Sequence, residues 1–272
     1  MITTQDEPGG RDLGGRVALI TGCGNPYGIG FATARVLAEH GAVVAITSTT
    51  ERITERAADL VAAGHTVGAF LADLMVMEQA VTLMRAVRDR FWRIDILVNN
   101  AGLAQVGMPS TSGSFLDLDP ADWQRALDRN LTTAFNITRQ VAPLMVEQGY
   151  GRIINVSSVT GPLVAYPGSS GYAAAKAGMD GLTRTLALEL GQHGVTVNSV
   201  APGWIVTESD PLDEVVEAGR CTPVGRAGRP EEVGAVIAFL AAASASYVTG
   251  QSIVVDGGNI IQEHKGRQKD DE

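Results

Sequence analysis

Residues 21–30 read TGCGNPYGIG and follow directly after the apolar run RVALI of residues 16–20. Four of these ten residues are glycine, which lets the backbone approach a neighbour that side chains would keep away. A glycine-rich turn between a strand and a helix is where dinucleotide-binding sheets hold a pyrophosphate, because backbone N–H groups and the helix dipole favour an anion there. An ordinary strand–helix turn fits the stretch equally well. Motifs elsewhere in the chain are needed to distinguish a dinucleotide-binding loop from such a turn.

Short runs rich in β-branched residues alternate with longer helical patterns along the chain. The predicted strands are residues 16–21, 42–47, 66–71, 94–100, 151–157, 195–201 and 251–256. Most of them are continuously apolar, which is typical of strands covered by helices on both faces. The predicted helices are residues 30–41, 51–64, 77–91, 120–149, 172–194 and 229–244. This alternation predicts an α/β fold, a Rossmann-like doubly wound sheet of about seven parallel strands with helices on both faces.

Composition narrows the class of protein. The 272 residues are 45% apolar, and we expect a single domain over residues 14–261 with polar tails at 1–13 and 262–272. The net charge of −9 argues against nucleic acid and anionic membranes as partners. No apolar run is long enough to span a membrane, and the first residues do not read as a signal peptide. Cys23 and Cys221 form no metal-ligand pattern, so we expect a reduced, cytoplasmic protein without a metal site.

Four further motifs come at the carboxyl ends of predicted strands or just beyond them. They are NNAG at 99–102, NVSS at 155–158, YAAAK at 172–176 and APG at 201–203. Open α/β sheets bind their ligands along this edge. With these motifs, the chain from about residue 15 to 258 closely resembles the short-chain dehydrogenase/reductase family, in particular its 3-oxoacyl-[acyl-carrier-protein] reductase-like branch. The resemblance implies hydride transfer between a nicotinamide cofactor and a carbonyl or secondary alcohol of a small molecule.

The glycine loop departs from the family pattern TGxxxGxG. Five residues, CGNPY, separate Gly22 from Gly28, which makes the loop two residues longer than usual. In an alternative alignment, Gly24, Gly28 and Gly30 supply the three glycines. Under either alignment we expect Gly28 and Gly30 to begin the first helix.

Tyr172 and Lys176 are the candidates for proton transfer. The ordinary pKa of a tyrosine, about 10, is poorly matched to neutral pH, and a nearby cation lowers it. The two residues are four apart, so on a helix they share one face. The resemblance assigns Tyr172 as the general acid/base. It assigns Lys176 to lowering the tyrosine pKa and binding the nicotinamide ribose.

The resemblance adds two catalytic residues. Ser158 donates a hydrogen bond to the substrate oxygen; Ser157 is the alternative, because the spacing from Ser158 to Tyr172 is one residue longer than is usual in the family. Asn130 holds a water in the proton relay through Lys176. The alternative for Asn130 is a local hydrogen bond to the helix backbone.

The resemblance also implies the cofactor contacts. Asp73 accepts a hydrogen bond from the adenine amino group, although its position also fits a helix N-cap. Asn99 and Gly102 line the adenine ribose, and Ile205 meets the carboxamide through its backbone. The remaining expected contacts are Gly22, Gly28, Ile29, Gly30, Leu74, Asn100, Ala101, Pro202, Gly203 and Thr207, together with Tyr172 and Lys176.

The end of the second predicted strand bears on the choice of dinucleotide. NAD-binding sheets place an acid there to accept from the adenosine ribose, but residues 42–50 contain none. Ser48 stands where the acid would align, and Ser48, Thr49 and Arg52 are expected to bind a 2′-phosphate instead. This favours NADP(H), with NAD(H) as the alternative. The other interpretation of TSTTER is a helix cap at Thr49 or Thr50.

The sequence allows more than one substrate class and more than one oligomeric state. A dehydrogenase of a steroid, sugar or other secondary alcohol is the alternative enzyme, and an inactive nucleotide-binding regulatory protein is the alternative from another class. Residues 208–222 are expected to form a lid over the substrate. The long apolar helices over 120–149 and 171–191 predict a homotetramer, with a dimer as the fallback.

Overall fold

The computed structural model describes residues 12–102, 111–207 and 212–263. Seven strands form one sheet in the order β3-β2-β1-β4-β5-β6-β7, and every neighbouring pair is parallel. The doubly wound seven-stranded sheet is therefore confirmed. The strands are β1 (Val17–Thr21), β2 (Val43–Ser48), β3 (Val67–Leu71), β4 (Ile96–Asn99), β5 (Gly151–Val156), β6 (Val195–Pro202) and β7 (Ser252–Val255).

The helices follow the predicted pattern with two differences. The stretch predicted as one helix over 120–149 is interrupted by a π-helical turn at Asp128–Thr132, and the expected lid contains a helix of its own. Among the described residues the α-helices are α1 (Ile29–Glu39), α2 (Arg52–Ala62), α3 (Met77–Phe91), α4 (Pro120–Leu127), α5 (Thr133–Gln148), α6 (Ser170–Leu190), α7 (Leu212–Arg220) and α8 (Pro230–Ala241).

The sheet is buried on both faces. Along β1, Ala18 and Ile20 belong to one core cluster with Leu37 of α1, whereas Leu19 belongs to the other with Val141 of α5. Successive side chains of a strand point to opposite faces, so a strand in this position must be apolar at every residue. This is the physical reason for the continuous apolar runs in the sequence.

The strand order reverses at β1, which has β2 on one side and β4 on the other. Connections leaving the carboxyl ends of β1 and β4 therefore run to opposite sides, and a crevice opens between them. The glycine loop follows β1, and residues 100–102 follow β4. The fold thus brings two of the sequence motifs to the point where such sheets bind ligands.

The expected N-terminal tail ends earlier than the sequence suggested. Leu13 is only 1% exposed and belongs to a core cluster, and its backbone N–H donates to the His40 carbonyl at 3.1 Å. The rest of that tail up to residue 11, and the C-terminal residues from 264, lie outside the described residues. Within the described part of the chain, no helix is both long and apolar enough to cross a membrane.

Candidate active site

The glycine loop packs directly against the end of β4. Gly22 has a φ of +73°, and a Cβ added to it would lie 2.8 Å from the Ala101 Cα. A Cβ on Gly30 would overlap the Asn100 side-chain amide and the Gly22 carbonyl. The backbone is thus folded closely enough that only glycine fits at both positions.

The first helix begins as expected. Gly28 is its N-cap, Ile29 is its first residue, and no side chain caps it. The Asn25 side chain organises the enlarged loop by accepting from the Tyr27 N–H at 2.9 Å, a contact that the sequence analysis missed. An uncapped helix start next to glycines that exclude side chains fits a bound pyrophosphate, because its N–H groups can donate to an anion.

Thr21 and Asn100 tie β1 to β4. The Asn100 amide donates to the carbonyls of Thr21 and Gly22 at 2.9 and 3.1 Å, and the Thr21 hydroxyl accepts from the Ala101 N–H at 2.9 Å. Asn99 does not reach the crevice, contrary to expectation. Its side chain is buried and donates to Thr138 and Asn155, because alternate residues of a strand face opposite sides of the sheet.

Asp73 and Leu74 follow β3 at the same edge. The Asp73 carboxylate accepts from the Met75 N–H at 3.0 Å and forms a turn, whereas the N-cap of α3 is Val76. The interpretation of Asp73 as a helix N-cap is therefore wrong, because the turn it stabilises precedes the helix. Leu74 is buried, and its carbonyl accepts from the Asn136 amide at 2.8 Å.

The end of β2 contacts the glycine loop. A Cβ on Gly24 would lie 3.1 Å from the Ser48 Cβ, so the loop passes directly over this serine. The Ser48 hydroxyl donates to the Thr50 carbonyl at 2.8 Å, and Thr49 and Arg52 are exposed beside it. The N-cap of α2 is Glu51, without a side-chain hydrogen bond. The interpretation of Thr49 or Thr50 as the cap is therefore wrong, because the helix begins one residue later.

Lys176 is buried next to Tyr172 on α6. Its ammonium donates to the Val156 carbonyl at 2.7 Å and lies 5.6 Å from the centroid of the Tyr172 ring. Burial lowers the pKa of Lys176 to about 8, and the charge of Asp180 opposes this shift. The half-buried Tyr172 and the lysine thus share one helix face, as their spacing predicted.

The two serines after β5 have different hydrogen bonds. The Ser157 hydroxyl donates to the Lys176 carbonyl at 3.2 Å, which uses its only hydrogen. The Ser158 hydroxyl instead accepts from the Thr160 N–H at 3.1 Å, and accepting leaves its hydrogen for another acceptor. Ser158 is therefore the better donor to a substrate oxygen.

Asn130 lies in the π-helical turn, a feature that is frequent at functional sites. Its amide donates to the Ala126 carbonyl at 3.0 Å, and a Cβ on Gly102 would lie 2.8 Å from its Oδ1. The turn therefore holds Asn130 against the end of β4. The local backbone hydrogen bond considered for this residue is present.

The segment after β6 borders the crevice from the other side. The Gly203 N–H donates to the Val255 carbonyl at 3.0 Å, directly after the buried Pro202. Ile205 is buried and forms a short bridge with Gly228. Thr207 is the last described residue before the expected lid, whose residues 208–211 lie outside the described part of the chain.

The described part of the expected lid contacts the loop after β5. The Tyr166 hydroxyl donates to the Glu214 carboxylate at 2.7 Å, and the Tyr166 ring meets the Trp204 ring edge-on at 6.1 Å. No sequence pattern relates residues 48 positions apart, so this contact could not be predicted from the sequence. A cleft of about 650 Å³ runs along α7 and is lined by Asp213, Glu214, Val216, Glu217 and Arg220.

Comparisons with known proteins identify the family. The family model described as enoyl-(acyl carrier protein) reductase matches residues 22–259. A 3-oxoacyl-[acyl-carrier-protein] reductase of Synechocystis sp. is 40% identical over 252 residues, 92% of this chain and 98% of that protein. Oxidoreductase UcpA of Escherichia coli is 37% identical over 262 residues, 92% of this chain and 97% of that protein.

A mutant of the short-chain dehydrogenase/reductase of Serratia marcescens has the same fold. Its structure matches with a TM-score of 0.83 at 34% identity and covers 92% of this chain and 99% of its own. The chain therefore belongs to the short-chain dehydrogenase/reductase family and is an NAD(P)-dependent oxidoreductase.

Proposed function

We propose that this oxidoreductase interconverts a carbonyl and a secondary alcohol of a small molecule, with Tyr172 as the residue that exchanges the proton. The observation that carries the proposal is the Lys176 ammonium, buried 5.6 Å from the Tyr172 ring centroid. A cation at that position favours the phenolate form of the tyrosine. A protein that only binds the nucleotide has no need to bury an ammonium beside this ring.

The nicotinamide cofactor, when bound, supplies or accepts the hydride. Ser158 donates a hydrogen bond to the substrate oxygen and orients the carbonyl. Tyr172 donates the proton to the oxygen during reduction and removes it during oxidation. Lys176 stabilises the phenolate that forms, and Asn130 holds a water on the path by which Lys176 exchanges protons with solvent.

NADP(H) is the cofactor that the end of β2 favours, with NAD(H) as the alternative. Ser48 lies beneath Gly24 of the glycine loop, and the exposed Arg52 follows two residues after Thr50, so a 2′-phosphate would meet hydroxyl and guanidinium donors. The strand end itself carries no carboxylate to repel the phosphate.

Assembly into a homotetramer, or a dimer, is part of the proposal. Large apolar side chains are exposed on and near α4–α6, namely Phe115, Leu116, Phe135 and Leu188. A second group on and after α8 consists of Phe239 and Ile261. Two groups of exposed apolar side chains suit a tetramer built on two interfaces. Sedimentation at micromolar concentration should give a tetramer or dimer, and a monomer would refute the assembly.

The Tyr172→Phe variant tests the reaction. Oxidation of NADPH and NADH is measured against a panel of ketones, and the reverse reaction against secondary alcohols. We expect Tyr172→Phe to bind cofactor as the wild type does and to lose turnover by roughly a hundredfold or more. The matched control is Tyr247→Phe, which removes a hydroxyl from a fully exposed ring.

Two outcomes would contradict the proposal. Near-normal turnover in Tyr172→Phe would remove Tyr172 from the mechanism. Cofactor binding without turnover of any carbonyl or alcohol by the wild type would favour the nucleotide-binding regulatory protein.

A further inference from the structure

Asp180 is a buried carboxylate that the proposed mechanism does not use. It follows Lys176 by four residues on α6, so Tyr172, Lys176 and Asp180 succeed one another along one helix face. The residue is only 5% exposed. A carboxylate is rarely buried unless something balances its charge, so the surroundings of Asp180 should contain a cation.

The sheet holds this carboxylate in one orientation. The Ser199 hydroxyl on β6 donates to the Asp180 Oδ1 at 2.7 Å. The Ser199 oxygen is also 2.9 Å from the hydroxyl of Ser252 on β7. A hydroxyl has one hydrogen, so Ser199 donates to Asp180 and accepts from Ser252. The short chain of hydroxyls thus orients Asp180 without neutralising its charge.

Lys176 is the group that the charge of Asp180 acts on. The lysine is buried, and its ammonium donates to a neutral acceptor, the Val156 carbonyl. Removing an ammonium from water costs several kcal/mol unless an opposite charge compensates. Among the described residues, the carboxylate of Asp180 is the charge that raises the pKa of Lys176 against the effect of burial.

Charged groups on the other elements packed against α6 do not replace the carboxylate of Asp180. The elements α4, the π-helical turn and the 3-10 turn Gly191–His193 contact α6 and bring Asp122, Arg125, Asp128, Arg129 and His193. The two arginines and the histidine carry no negative charge, so they cannot stabilise the Lys176 ammonium. Asp122 pairs with Arg125, and Asp128 accepts from Gln124 at 2.9 Å. The strands β5 and β6 contribute serine hydroxyls and backbone carbonyls near Lys176 and Asp180, which carry no net charge.

We propose that Asp180 is a positioning residue whose buried carboxylate keeps the Lys176 side chain charged and in place beside Tyr172. The inference rests on the proposed roles of Tyr172 and Lys176. Asp180 itself touches neither substrate nor cofactor in this assignment. Without its charge, burial would favour the neutral amine of Lys176 near neutral pH, and the tyrosine would lose its cation.

The lysine content of the chain allows a direct test. The sequence contains three lysines, Lys176, Lys265 and Lys269. Protein labelled with 13C-lysine therefore gives three Cε resonances, and the one that disappears in Lys176→Arg belongs to Lys176. Following this resonance with pH measures the protonation of Lys176 independently of catalysis.

Asp180→Asn is the test variant, because it removes the charge and keeps an oxygen that accepts from Ser199. We expect the midpoint of the Lys176 titration to fall by roughly one pH unit or more. Ser199→Ala is the matched control, since it removes the hydrogen bond and leaves the carboxylate, and it should shift the midpoint less.

Asp180→Glu retains the charge and serves where Asp180→Asn folds poorly. It should keep the midpoint of the Lys176 titration near that of the wild type. An unchanged midpoint in Asp180→Asn, or an equal shift in Ser199→Ala, would overturn the proposal.

The pH dependence of kcat separates this inference from the proposed function. In Asp180→Asn, the alkaline limb of the profile should move to lower pH with the same shift as the lysine titration. A profile that stays in place would overturn the inference while a hundredfold loss in Tyr172→Phe still supports the function. Normal turnover of Tyr172→Phe would instead reject the function, whatever the titration of Lys176 shows.

Discussion

The hydroxyl of Tyr166 donates a hydrogen bond to the carboxylate of Glu214 at 2.7 Å. Tyr166 lies on the connection between β5 and α6, after Ser158 and before Tyr172, whereas Glu214 lies on α7. The bond therefore joins the loop that carries Ser158 to helix α7 of the expected lid. A single exposed hydrogen bond of this kind contributes little free energy.

Tyr166→Phe should loosen this connection and leave the chemistry intact. Losing one hydrogen bond costs about 0.5–1.5 kcal/mol, which corresponds to a roughly two- to tenfold change in KM. We expect KM for the carbonyl substrate to change by that factor and kcat to stay close to that of the wild type. Steady-state kinetics measures both, with Tyr247→Phe as the exposed control. A large loss of kcat with KM unchanged would place Tyr166 in the chemical step.

Arg52→Ala should reduce the preference for NADP(H). The guanidinium is exposed at the start of α2, and a charged hydrogen bond to a 2′-phosphate contributes about 1.5–3 kcal/mol. We expect the ratio of kcat/KM for NADPH to that for NADH to fall by about tenfold or more. Arg88→Ala on α3 is the control, since Arg88 is half-exposed and forms an ion pair with its neighbour Asp89. A wild-type preference for NADH would refute the cofactor assignment, and an unchanged ratio in Arg52→Ala would leave Ser48 and Thr49 as the phosphate site.

The pKa of Lys176 predicts how stability depends on pH. Its value in the folded protein is about 8, below the ordinary 10.5, so between these values the unfolded chain binds more protons than the folded one. The free energy of unfolding therefore rises with pH across this window. Relative to Lys176→Met, the wild type should gain up to about 3 kcal/mol from pH 8 to pH 10.5. Denaturant unfolding at several pH values measures the difference, and parallel curves for the two proteins would contradict it.

Gly30→Ala should weaken cofactor binding by about tenfold or more. A methyl group there would overlap the Asn100 amide and the Gly22 carbonyl, so the glycine loop would have to move away from β4. Titration of cofactor against protein fluorescence gives the Kd. Gly113→Ala is the control, because a Cβ at Gly113 has no neighbour within 4 Å among the residues that the structure describes. Equal Kd values for both variants and the wild type would show that the close packing of the loop is not needed for binding.

Carrier-bound substrates should be poor ones. Helix α7 carries Asp213, Glu214 and Glu217 against one arginine, Arg220, and this excess of negative charge should repel an acidic carrier protein. We expect kcat/KM for a small free ketone or thioester to exceed that for the same group on an acyl carrier protein. Faster reduction of the carrier-bound group would contradict this.

The sequence by itself determined the sheet and the residues at its carboxyl edge. Strands covered on both faces must be apolar at every position, as Ala18, Leu19 and Ile20 are, and such runs can be recognised without a structure. Tyr172 and Lys176 could be paired because a helix repeats every 3.6 residues, so a spacing of four fixes a shared face. These are local rules, and each depends on residues close together in the chain.

Only the tertiary structure decided the contacts between distant segments. The bonds of Tyr166 with Glu214 and of Asp180 with Ser199 join separate elements, and no periodicity encodes them. The π-helical turn at Asp128–Thr132 lies between two α-helices, and its contacts with α6 and with Gly102 after β4 join segments that are distant in the sequence. The side chain of Asn99 is buried for a similar reason. The pleat of β4, rather than the position of Asn99 in the NNAG motif, sets the face of the sheet on which this side chain lies.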